Sequence, residues 1–334
     1  MTETPLPGVY IRGYLAPLAA MLERADVTDI YVNRPGELWI ETLGGALERQ
    51  DAPNLDRGSL MQLARQVAAL SHQAISREHP LLSASLSDGS RIQIITPPAT
   101  RGEIAIAIRK HVSSDLSLAD YHAAGAFDGV RNRGSGSSSK IDHDLAQRLN
   151  AGDIAGVLAA AVRARRNILV SGGTSTGKTT FLNALIKEIP AEERLILIED
   201  TPELLAAHAN MVGLVAARSA LGEARVTADD LVSASLRMRP DRIILGELRG
   251  TEAFAFLRAI NTGHPGSMTT VHADTADGAV EQIALLIMQG GTKLSRDDVR
   301  HYIRQSIGVF VQLSRRSGRR FVESIHLGRE QPAS

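Results

Sequence analysis

The sequence predicts an α/β protein built in two unlike parts. Three observations carry this. Beyond residue 143, short apolar runs alternate with helical patterns, the signature of a parallel sheet covered by helices. Before residue 126, strand-like runs come in pairs around tight turns, which predicts an α+β part with a mostly antiparallel sheet. Between them, residues 129–140 read GVRNRGSGSSSK, the composition of a flexible linker. The expected division is an N-terminal domain over 1–126, a linker over 127–142 and a C-terminal domain over 143–334.

Composition agrees and excludes some functions. The length of 334 residues suits two domains, and 43% apolar residues suffice for a core in each. Lys plus Arg equals Asp plus Glu, so formal net charge is zero, which argues against a strongly electrostatic nucleic-acid binder. Cysteine is absent, so no disulfide framework or thiolate metal site is expected, and a reducing, cytosolic setting fits. The start MTETPLPGVY lacks a signal pattern, and no apolar run approaches the ~18 residues that a membrane span needs.

In the first part, residues 9–24 carry an apolar helical stripe. Runs 29–33 and 37–41 flank Arg34-Pro35-Gly36, a hairpin turn. Residues 57–71 read as a helix with Leu60, Leu63, Val67 and Leu70 on one face. Runs 81–86 and 90–96 flank Asp88-Gly89, a second hairpin. Residues 103–109 alternate Ile104, Ile106 and Ile108, predicting a half-buried strand. Arg77, Arg91, Arg101 and Arg109 read, from the residues alone, equally as solvated strand ends or as phosphate contacts.

The second part is organised around residues 167–187, NILVSGGTSTGKTTFLNALIK. A buried strand, a Gly-rich turn and a helix follow one another, and Gly172-x-x-x-x-Gly177-Lys178-Thr179 fits the phosphate-binding loop. Glycines let backbone N–H groups wrap phosphate oxygens, and the helix adds its positive end. Lys178 is expected at the β- and γ-phosphates and the Thr179 hydroxyl at a Mg²⁺ ion.

Two short helices over 144–165 precede this loop. After it, a strand over 194–198 runs into Glu199-Asp200-Thr201-Pro202-Glu203, acids at the edge where open α/β sheets bind ligands. Thr227 caps a helix over 227–238. A strand over 242–245 ends in Gly246-Glu247-Leu248-Arg249, which sets a carboxylate where attacking water or a metal would lie. A helix over 251–261 leads through His264 to a strand ending near His272; their spacing fits no helical zinc pair. Helices over 276–289 and 296–305 follow. Strands over 307–313 and 320–327 then close on Arg315-Arg316-Ser317-Gly318-Arg319-Arg320, read as a solvated hairpin tip.

Four blocks, in order and spacing, resemble one family: SGGTSTGKTT, IEDTPEL, LRMRPDRIILGELRGTEAF and TGHPGSMTTVHAD. They are similar to the secretion traffic ATPases of type II and type IV systems, and most to the Vir-type ATPases of type IV secretion. Upstream, TDIYVNRPGELWIE, HPLLSASLSDGSRIQIITPPA and AIAIRKH resemble the family's N-terminal domain. The resemblance implies a RecA-like P-loop NTPase domain behind an α+β domain. It implies a ring homohexamer that hydrolyses ATP with Mg²⁺ at the cytoplasmic face of the inner membrane. Implied partners are other ATPases and inner-membrane components of the machine, and a translocated protein or protein–DNA substrate.

Residue by residue, the resemblance implies that Gly172, Gly173, Thr174, Ser175, Thr176, Gly177, Lys178, Thr179 and Thr180 hold the nucleotide. Glu199 and Glu203 help Thr179 order the metal, and Glu247 is the general base. His264 and His272 sense or position the γ-phosphate, while Arg91 and Arg109 reach across from the N-terminal domain toward the nucleotide. Arg237, Arg239 and Arg249 act within or between subunits. Two rivals share the loop: a RecA-like DNA translocase, for which 4% aromatic residues leave few stacking platforms, and a nucleotide-gated scaffold, which has no need of Glu247.

Overall fold

The computed structural model describes residues 9–86, 88–110, 140–217 and 224–328. They form two sheets. Helix α1 (Val9–Glu23) leads into strands β1 (Val27–Val32), β2 (Gly36–Thr42) and β3 (Leu47–Ala52). Helix α2 (Arg57–Leu70) follows, its first turn capped by the Asp56 side chain accepting from the Ser59 N–H. Strands β4 (Leu81–Ser85), β5 (Arg91–Ile95) and β6 (Ala105–Arg109) complete a six-stranded sheet in the order β3-β2-β1-β6-β5-β4. Every neighbouring pair in it is antiparallel.

The second sheet has seven strands. Helices α3 (Lys140–Asn150) and α4 (Ile154–Arg163) precede β7 (Ile168–Gly172) and α5 (Lys178–Ile186). Then come β8 (Leu195–Glu199), β9 (Met211–Val215), α6 (Ala228–Ser235), β10 (Arg242–Leu245), α7 (Glu252–Asn261) and β11 (Met268–Val271). Helices α8 (Ala276–Gln289) and α9 (Arg296–Ser306) and the hairpin β12 (Val309–Arg316) and β13 (Arg319–Leu327) end it. The order is β13-β12-β7-β11-β10-β8-β9, parallel except for the β12–β13 hairpin. This is the doubly covered α/β sheet that the alternating pattern predicts: side chains of α4 and α5 pack on one face, those of α6 to α9 on the other.

Two strands lie outside the sequence expectation. β3 reads LERQDA and lines a solvated edge, so it lacks an apolar run. β9 is also an edge strand, yet Val212 and Leu214 are buried, because residues 99–101 of the N-terminal half lie along it. Val215 N–H donates to Ala99 O and Arg101 N–H to Gly213 O, at 3.0 and 2.8 Å. Gly213 is required there: a Cβ would lie 2.4 Å from Arg101 Cδ.

The same docking corrects β6. Residues 103–109 were expected to be half-buried, but both faces of β6 are covered. Ile104, Ile106 and Ile108 pack with α1 and α2, while Ala105 and Ala107 join Tyr31, Ile95 and Ala99 in the core of the second sheet. Small side chains on that face let two sheets share one core. The linker span 127–142 lies outside the described residues up to 139, and its last three residues already belong to α3.

Where the two halves meet, Arg194 is fully buried. Its guanidinium sits 4.0 Å from the Tyr31 ring centroid and donates to Asn33 Oδ1 at 2.7 Å. Burial pulls its pKa down to about 10. Beside it, Glu193 takes both Nε and Nη2 of Arg242, at 2.7 and 2.8 Å, with Arg242 wholly inaccessible.

Candidate active site

The phosphate loop leaves the C-terminal end of β7, which lies between β12 and β11. Ser175 (φ 63°) and Gly177 (φ 91°) take the left-handed conformation that turns the loop into α5. Thr176 Oγ1 donates to Gly173 O at 2.9 Å and holds the loop closed. Gly172 permits this closeness: a Cβ there would lie 2.5 Å from Thr176 Oγ1 and 3.0 Å from Leu313 O. Gly172→Ala is therefore expected to cost about 1–3 kcal/mol of overpacking. Thermal unfolding should show the loss, and ATP titration should show weakened binding.

Lys178 is nearly buried at the start of α5. Its Nζ donates to Gly172 O at 3.1 Å and lies 3.0 Å from His272 Nδ1. Burial holds this amine below the usual lysine range; the Glu247 charge opposes the shift and the Arg249 charge adds to it. His272 Nε2 in turn lies 2.9 Å from Glu247 Oε1, and Arg249 donates to Glu247 Oε2 at 2.9 Å. Arg249 also donates to Asp200 at 2.6 Å.

These groups come from three neighbouring strand ends, β7, β11 and β10. Glu247 and Arg249 open onto a cavity of about 400 Å³, lined also by Thr179, Glu199, Asp200, Thr201, Glu203 and Gly246. A larger hollow of about 930 Å³ lies elsewhere, bordered by His301, Arg304 and the β13 edge, and contains neither the loop nor Glu247. The chemistry favours the smaller one.

Glu199 is a partial departure from expectation. It lines the cavity, but Oε1 accepts the N–H groups of Glu203 and Leu204, at 2.8 and 2.6 Å, and Oε2 is ion-paired with Arg101. So placed, its carboxylate braces the acidic turn and ties it to the N-terminal half. Of the arginines in the N-terminal half, it is thus Arg101, and not Arg91 or Arg109 as the resemblance implies, that meets a residue lining the cavity.

The structure also separates residues expected together. His264 precedes β11 and its Nδ1 lies 3.0 Å from Pro240 O, before β10. Strands run parallel here, so His264 sits at the opposite edge of the sheet from the loop. Burial, with the charges of Arg239 and Arg109, holds its pKa below the usual histidine value. Arg109 is bonded to Asp29 at 2.9 Å, and Arg91, Arg109 and Arg237 border a separate cavity of about 470 Å³. Arg239 is bonded to Glu41 at 2.8 Å. Within one chain, His264, Arg91 and Arg109 do not reach the phosphate loop. A linear motif states proximity in sequence, whereas a parallel strand carries its two ends to opposite edges.

Two further residues at the loop escaped the sequence reading. Asp274 Oδ1 lies 3.1 Å from where a Cβ on Gly173 would be, and Arg320 lies over Gly177. Both come from segments read as loop or hairpin tip.

A phosphate loop at the C-terminal edge of a parallel sheet, with a lysine, a histidine and a glutamate in line, defines a RecA-like nucleotide-binding protein. The family model "Type II/IV secretion system protein" matches residues 138–320. VirB11 of Bartonella quintana is 40% identical over 326 residues, covering 93% of this chain and 91% of that protein. The PtlH homolog of Bordetella bronchiseptica is 39% identical, covering 91% and 90%. The crystal structure of the VirB11 ATPase from the Brucella suis type IV secretion system, in complex with sulphate, superposes with TM-score 0.89. It is 37% identical and covers 95% of this chain and 97% of that one. The chain belongs to the type II/IV secretion system protein family, among the Vir-type traffic ATPases of type IV secretion.

Proposed function

We propose that the chain hydrolyses ATP and works as a ring motor that powers type IV secretion, moving substrate or assembling a pilus. The observation that carries this is the line Lys178–His272–Glu247 at the mouth of the phosphate loop, opening on the acidic cavity. Lys178 binds the terminal phosphates of ATP, and Glu247 accepts the proton of the attacking water. His272 stands between the two, within 3.0 Å of each. Arg249 fixes the other carboxylate oxygen.

The residues fit Mg²⁺. This ion takes hard oxygen ligands and keeps waters and phosphate oxygens as the rest of its shell. Thr179, Asp200 and Glu203 offer such oxygens around the cavity. The ion supplies neutralisation of phosphate charge when bound; Glu199, braced as described, holds the acidic turn in place around it.

The domains we infer, 1–126 and 143–334, meet at Arg101–Glu199, close to the nucleotide. Changes in phosphate charge there are suited to moving one domain against the other. Arg91, Arg109 and Arg237 share a cavity away from their own chain's loop, which suits action on a neighbour's nucleotide in a homohexamer. We place the ring at the cytoplasmic face of the inner membrane, in peripheral contact with it, docked to other ATPases and inner-membrane components and acting on a protein or protein–DNA substrate. No helix among the described residues is long and apolar enough to cross a membrane.

The test is a mass measurement of the purified chain with and without ATP, then phosphate release from each species. Sixfold assembly with turnover is the expected result. Binding of ATP without any release would reduce the protein to a nucleotide-gated scaffold. Turnover that requires DNA and is steeply lost with salt would move it to the translocases.

A further inference from the structure

The C-terminal hairpin reaches beyond the sheet. β12 pairs with β7 up to Leu313 opposite Gly172, then runs on through Arg316 alongside the phosphate loop. The chain turns at Ser317 and Gly318, both at positive φ, and returns through Arg319 and Arg320. This brings Arg320 onto Gly177: Cδ, Nη1 and Nε lie 3.3, 3.7 and 3.8 Å from where a Cβ would stand. Any side chain at position 177 would displace them.

The hairpin is also electrostatically unbalanced. Arg315 faces Arg320 and Arg316 faces Arg319 across the strands. Like charges directly opposite one another destabilise a hairpin. Arg316 is relieved by Glu323. The side chains of Arg315, Arg319 and Arg320 have no hydrogen bond or ion pair among the described residues, and Arg320 is exposed. The missing counter-charge faces a helix start and a loop built for phosphate, both of which add positive potential.

We propose that Arg320 is a nucleotide-contacting residue, binding the α- and β-phosphates of a nucleoside di- or triphosphate from outside the loop; this rests on nucleotide binding there. The sheet order decides which phosphates. Arg320 arrives from β13, on one side of β7, while His272 and Glu247 arrive from β11 and β10, on the other. Arg320 therefore holds the part of the nucleotide away from the bond that Glu247 helps to break. Its forked guanidinium suits paired phosphate oxygens better than an ammonium does.

The test is calorimetric titration of ATP and ADP into the full chain. In Arg320→Ala both affinities should fall by a similar factor, about tenfold or more. Arg320→Lys should recover part of the loss, and Arg319→Ala should bind as wild type. Unchanged affinities in Arg320→Ala would overturn the inference. So would an equal loss in Arg319→Ala, which would mean a diffuse charge effect, or a loss for ATP alone, which would place the side chain on the γ-phosphate. Failure of the unaltered chain to bind either nucleotide would instead remove the underlying reading.

Discussion

Glu247→Gln is expected to keep ATP bound while phosphate release falls by about a hundredfold to ten-thousandfold, the usual worth of a positioned general base. The amide is nearly isosteric and cannot accept the water's proton. Its neighbours remain: Arg249 on one side, His272 on the other. Binding survives because Lys178 and the loop backbone, not the carboxylate, grip the phosphates. The check is paired: equilibrium ATP titration and single-turnover phosphate release on the same preparation. Lys178→Ala should give the complementary result, with binding itself lost. Undiminished release in Glu247→Gln would remove the base assignment and leave Asp200 and Glu203 as the acids to test.

Glu193→Ala should destabilise the fold by about 3–5 kcal/mol, the cost of stranding one member of a buried ion pair. Arg242 has no access to solvent and loses both of its carboxylate hydrogen bonds, keeping only the Val162 and Gly266 carbonyls. The position is far from the cradle, at the N-terminal edge of the sheet, so the effect should appear in denaturant unfolding rather than in nucleotide affinity. The double variant Glu193→Leu/Arg242→Met should lose less than Glu193→Ala, since an apolar pair leaves no uncompensated charge.

The same pair predicts acid sensitivity. Burial pushes the Glu193 carboxyl up, but the hydrogen bonds and charge of Arg242, helped by Arg165, outweigh it and leave the pKa below the ordinary 4.5. A depressed folded-state value means that the pair's stabilisation is complete above about pH 4.5 and is lost as pH falls through the lower folded value. Unfolding midpoints measured from pH 6 downward should therefore fall more for wild type than for the double variant.

Much of the fold was legible along the chain. Gly172 to Thr179 needs particular residues at fixed spacing because backbone must touch phosphate, so the loop appears in any reading. Thr227 and Asp230 form a capping box, and the strands of the second half are continuous apolar runs because helices cover both faces. The acids Glu199 and Glu247 could be placed because each directly follows an apolar strand; what remained hidden was how a motif spanning a strand divides between the two ends of the sheet, and how the two halves dock. His264 and His272 stand eight positions apart in one motif, yet the four-residue strand between them carries one to the loop and the other away from it. Ala105 and Ala107 gave no sign that their face would be covered, because small side chains look alike in core and on surface.

The local chemistry of this protein, a phosphate grip followed by acids after apolar strands, is written in residue types, since those contacts are made within a few positions of one another. Its working geometry is not. Arg101 meets Glu199 and Arg320 meets Gly177 across separations of 98 and 143 positions, set by sheet order and by how the two halves dock. Only the folded chain brings such pairs within reach, because long-range pairing is fixed by the sum of many buried contacts and by no single stretch of sequence.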